Sequence, residues 1–82
     1  MVSPMRHPVP RLNLPAPGRT VRRSVGVCQR MGYTRAQALG IVMAVCASVA
    51  AGTPPGGEYD LTWLAEVHEV ARCQLHRLQP PA

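Results

Sequence analysis

Eighty-two residues make one small domain, and a core of that size depends on very regular helix packing, a metal, a disulfide or a partner subunit. Three cysteines, Cys28, Cys46 and Cys73, are an odd number at spacings that fit no secreted disulfide framework, so they read as reduced and the chain as cytoplasmic. The net charge of +5 is unevenly placed: residues 1–35 hold seven arginines and no acid, while residues 36–82 hold two arginines against Glu58, Asp60, Glu66 and Glu69. A GC-rich genome accounts for arginine replacing lysine throughout, but not for this placement, and a basic end attracts phosphate, acidic protein surfaces or anionic lipid.

The first seventeen residues carry Pro4, Pro8, Pro10, Pro15 and Pro17 among short apolar and basic residues, a composition that favours extended conformations over a packed core. Residues 1–17 are therefore predicted to form a flexible basic arm ahead of a single helical domain, residues 18–82. The first helix is predicted from Thr20 to Met31, with Thr20 as its cap and Gly32 as the left-handed residue beyond its end. Val21, Val25, Val27, Cys28 and Met31 fall on one side and Arg22, Arg23, Gln29 and Arg30 on the other, which makes it a basic amphipathic helix.

The second helix carries the clearest end signals. Thr34-Arg35-Ala36-Gln37 reads as a capping box, and Gly52 followed by Thr53-Pro54-Pro55 reads as a stop. Between Ala38 and Ala51 only Gly40 and Ser48 are not apolar, so a helix buried on both sides is expected. Its large residues, Leu39, Ile41, Val42, Met43, Val45, Cys46 and Val49, fill one arc. The opposite arc holds small ones, Ala36, Gly40, Ala44, Ala47, Ser48 and Ala51, and within this stretch Ala36, Gly40, Ala44, Ser48 and Gly52 form a ladder at four-residue spacing. That small face would let another helix backbone come close, supplied either by the same chain or by a second copy in a homodimer. The apolar run of this helix spans about 21 Å, short of the roughly 30 Å of a bilayer core, so no membrane span is predicted.

Residues 53–59 form a turn, and a third helix is predicted from Asp60, as N-cap, to Leu78. Leu61, Leu64, Val67, Ala71, Leu75 and Leu78 share one face with Trp63 and Val70 at its edge. Thr62, Glu66, Glu69, Arg72, Cys73, His76 and Arg77 share the other.

Candidate chemistry is sparse. Arg22-Arg23-Ser24-Val25 ahead of an apolar run imitates a twin-arginine export signal, but cleavage after Ala51 would leave 31 residues, too few to fold. Cys73 and His76 supply only two metal ligands on one helical face, with Cys28 and Cys46 pointing elsewhere. The same pair, with His68, outlines a cysteine nucleophile and base that lack an activating third group. No enzyme activity, metal or cofactor is therefore predicted. A helix-turn-helix reader is also disfavoured, because the second helix would be the recognition helix and has no polar face to read bases.

The resulting expectation is an all-α, three-helix domain with a buried central helix and a Pro- and Arg-rich N-terminal arm. Its expected role is a non-enzymatic regulator or inhibitor that binds a larger, acidic protein partner, as small proteins of phages and mobile elements often do. Arg19, Arg22, Arg23 and Arg30 are the expected electrostatic contacts, with Tyr59 and Trp63 as aromatic anchors. The alternative is a basic accessory protein that binds nucleic-acid phosphates through the first helix and the arm.

Overall fold

The computed structural model describes residues 14–54, 56 and 60–79. Among them are three helices and no strand: α1 (Pro17–Arg30), α2 (Arg35–Ala51) and α3 (Leu61–Leu78), each packed against the other two. None of these helices is long and apolar enough to cross a membrane. Residues 1–13 of the expected arm and the candidate anchor Tyr59 lie outside the described residues.

Helix α1 begins three residues before the expected start. Ala16 is its N-cap and Pro17 its first residue, while Thr20 sits in the first turn with its amide bonded to the Ala16 carbonyl at 3.1 Å. The capping role assigned to Thr20 is thus wrong. Proline at the first helical position has its φ preset and lacks an N–H that would have no partner there anyway, and this outweighs the hydroxyl's capping preference. The other end is as expected. Gly32 takes φ 102°, its amide bonds the Gln29 carbonyl at 3.0 Å, and the Tyr33 amide bonds the Cys28 carbonyl at 3.1 Å. This doubly bonded, glycine-centred stop turns the chain sharply into α2.

Both cap signals of α2 and α3 operate. The Thr34 hydroxyl accepts from the Gln37 amide at 3.1 Å, and the Gln37 side chain accepts from the Thr34 amide at 2.9 Å. At the far end of α2 the Thr53 hydroxyl donates to the Val49 carbonyl at 2.6 Å, closing the last turn before Pro54. Asp60 caps α3 by accepting from the Trp63 amide at 3.1 Å. Arg35, at the start of α2, donates to Gln74 near the end of α3 at 3.1 Å, as antiparallel neighbours require.

The core is Val21 and Val25 from α1, Ala38, Leu39, Val42 and Cys46 from α2, and Leu64, Val67 and Ala71 from α3. Helix α2 contributes the most to it, but its burial is one-sided. Ala36, Ala44, Ala47, Ser48 and Ala51 are exposed, and so is Val45, at 54%. Of the two ways expected to cover the small face, packing by α1 or α3 of the same chain is therefore corrected. Where each of three helices touches both others, each turns only one sector inward, and the outer sector stays exposed whatever its polarity. The large residues take the inward sector because they remove more apolar surface from water. Gly40 confirms the vacancy, since a Cβ placed there meets no atom within 4 Å.

Candidate functional site

Arg19, Arg22, Arg23 and Arg30 are all exposed on α1, with Arg19, Arg23 and Arg30 opposite Val21 and Val25 and Arg22 on the flank. Among the described residues none of them has an ion pair or a side-chain hydrogen bond. They differ in their neighbours. On a helix, residues three and four apart are adjacent, so Arg23 and Arg30 bracket Val27, whereas Arg22 borders Gly18 and Gly26. Val27 was expected to join the apolar face, as was Met31; they are instead 47% and 70% exposed.

A groove of about 210 Å³ lies between α1 and α2. Its α1 wall is Thr20, Ser24 and Cys28, one residue per turn. Its α2 wall is Ile41, Val42, Val45 and Cys46, and α3 closes the floor with Trp63, Leu64 and Val67. The α1 wall is built of small side chains, which is why the two helices do not seal against each other. Cys46 is buried there, and burial pushes its thiol pKa up. The threonine hydroxyl is buried without a hydrogen-bond partner.

Trp63, an expected anchor, is half-buried. Its indole N–H donates to the Pro15 carbonyl at 2.7 Å, tying the segment before α1 to the start of α3. A second, shallower groove of about 400 Å³ runs between α2 and α3, lined by Cys46, Ala47, Ala50, Leu61, Leu64, Ala65 and His68.

The outer face of α3 holds a local cluster. Glu69 receives the guanidinium of Arg72 through Nε at 2.9 Å and Nη2 at 2.6 Å, and the Cys73 thiol donates to its Oε2 at 3.4 Å. The Arg72 hydrogen bond, followed by that of Cys73, pulls the Glu69 carboxyl down to about 2, and the same pairing pushes the Arg72 guanidinium up. Cys73 is thus engaged with a carboxylate on its own helix, and His76 is exposed one turn further on. No group of three or more metal-ligating side chains converges among the described residues.

The exposure of Arg22, Arg23 and Arg30 was legible from their helical spacing, but the groove between α1 and α2 was not. Its signal was the small-residue series Thr20, Ser24 and Cys28 facing Ile41 and Val45, which acquires meaning only once α1 and α2 are known to lie side by side with α3 beneath. No family model, curated protein or solved structure matches the chain, and its function is read from its own surface.

Proposed function

We propose that the chain is a non-enzymatic binding module that regulates or inhibits a larger protein by occupying an acidic surface on it, in a reducing, cytoplasmic setting. One observation carries this reading: four arginines stand exposed on a single helix with no ion-pair partner among the described residues. Guanidinium groups pair bidentately with carboxylates at low desolvation cost, so such a face gains most from an acidic protein partner. The three cysteines are unpaired thiols, in keeping with the setting.

Nucleic acid offers phosphates to the same arginines and is the competing reading. The composition of α2 speaks against sequence-specific recognition, because its outward residues include only Gln37 and Ser48 as hydrogen-bonding side chains between Ala36 and Ala51. Quantitative capture from host extract with the wild type and the fourfold variant R19E/R22E/R23E/R30E tests the proposal. A specific protein should be retained by the wild type and lost from the variant, with negligible retention of duplex DNA at moderate salt. Duplex binding that weakens with a log–log salt slope approaching about −3.6, for four neutralised phosphates, without a protein lost from the variant, would favour the nucleic-acid reading instead.

A further inference from the structure

We infer that the α1–α2 groove seats an acidic amphipathic helix of the partner, an apolar side chain entering between Val27 and Val45 while carboxylates meet Arg23 and Arg30. This deepens the proposed function and rests on it. The groove is apolar on its α2 side and in its floor; Val45, 54% exposed, lines it, and Val27, 47% exposed, stands one helical turn from Ser24 of the α1 wall. Since a cavity of about 150 Å³ can hold benzene, a groove of about 210 Å³ accepts one aromatic or branched side chain. Its α1 wall extends from Thr20 to Cys28, about 12 Å along the axis, which matches two turns of a guest helix presenting anchors at i and i+4.

Charge identifies the occupant. Arg23, one turn from Thr20 of the α1 wall, and Arg30 flank Val27, and Arg19 lies one turn before Arg23, whereas the α2 side is uncharged: Ile41 and Val45 are followed by Ala44 and Ser48 on the outer side. The guest is therefore acidic along the flank that faces α1. Along the flank that faces α2 it is uncharged, and the small side chains there permit close approach. A second copy fits poorly. Beyond the capping Asp60, the described acids are Glu66 and Glu69, and Glu69 is already held by Arg72.

Trp63, the single tryptophan of the chain, lies in the groove floor and reports occupancy. The probe is a designed helical peptide of 18 residues with leucines on one stripe and glutamates along one flank. Its controls are a leucine-scrambled isomer of equal charge and a version with lysine for glutamate. Titration into the full chain should change Trp63 emission saturably with the acidic amphipathic peptide, and both controls should bind at least about tenfold more weakly.

Val45→Asp should lower that affinity by about tenfold or more, Ala47→Asp, on the α2–α3 side, by less than about threefold, and Arg23→Glu should cost more than Arg22→Glu. Bound peptide should also slow alkylation of Cys28 in the unmodified chain and leave Cys73 unprotected, a readout that needs no variant to fold. If the scrambled peptide binds equally, with Trp63 emission and Cys28 reactivity unmoved, the groove inference falls while the acidic-partner reading stands. If duplex DNA binds and neither acidic peptide does, both fall. Absence of binding by any acidic peptide up to about millimolar concentration overturns the groove inference.

Discussion

At the scale of single residues, two side chains do work that their types alone do not announce. Trp63 bears the chain's one indole, and its N–H satisfies the Pro15 carbonyl at 2.7 Å, fixing the entry into α1. Trp63→Phe keeps most of the ring and removes that bond, so unfolding in urea should show a loss of about 1 kcal/mol. An unchanged midpoint would mean that solvent satisfies the carbonyl equally well. The second is Glu69, whose carboxyl is drawn from its ordinary 4.5 to about 2, chiefly by Arg72. A depressed folded-state value means that the pair's contribution is present above the unfolded value and lost as pH falls from about 4.5 through about 2. Both groups are solvent-exposed, so that contribution is small and salt-sensitive. The titration itself is the measurement: carbon-detected NMR should follow Glu69 at about 2 in the wild type, and Arg72→Ala should move it back toward an ordinary glutamate.

At the scale of helices, end signals read from sequence proved sound wherever a side chain closes a hydrogen bond at the terminus. Thr34 with Gln37, Asp60 with the Trp63 amide, and the positive φ of Gly32 all fall at the expected positions. The start of α1 was misplaced because two start signals, Pro17 and Thr20, stand three residues apart, and local spacing does not rank them. The small-residue ladder of α2 was legible as a pattern, but the helices of the same chain do not cover it. Periodicity identifies a face, but only the arrangement of neighbouring helices determines whether that face is covered, and here Ala36, Ala44, Ala47, Ser48 and Ala51 are exposed. Two substitutions follow from that exposure. Gly40→Ala adds a Cβ into open space on a helix and should raise stability by about 0.5–1 kcal/mol. Ala44→Leu should leave stability within about 0.5 kcal/mol and oligomeric state unchanged. If thermal unfolding and light scattering show either variant to be destabilised or to change its assembly, the small face is covered after all.

At the scale of the whole molecule, Arg19, Arg22, Arg23 and Arg30 of α1 have no ion-pair partner among the described residues. The ion pair seen among the described residues joins Arg72 to Glu69 within α3, far in sequence from the four arginines of α1. Arg19 stands three residues from Arg22 and four from Arg23, and like charges at those spacings each cost a helix about 0.2–0.5 kcal/mol at low ionic strength. Salt relieves such repulsion, as the screening length falls from about 30 Å at 0.01 M to about 10 Å at 0.1 M. Urea unfolding should therefore show stability rising between those salt concentrations, the opposite of a fold held together by surface ion pairs. Arg19→Ala should raise stability at 0.01 M by up to about 1 kcal/mol and flatten the salt dependence. The same substitution removes a charge from the face proposed to meet the partner, so it should weaken capture while it strengthens the fold. A sequence retains a repulsive face against its own stability when that face serves another purpose. A gain in stability together with a loss of capture would identify the arginines of α1 as such a case, whereas a loss of stability on removing Arg19 would show the charges to be part of the fold.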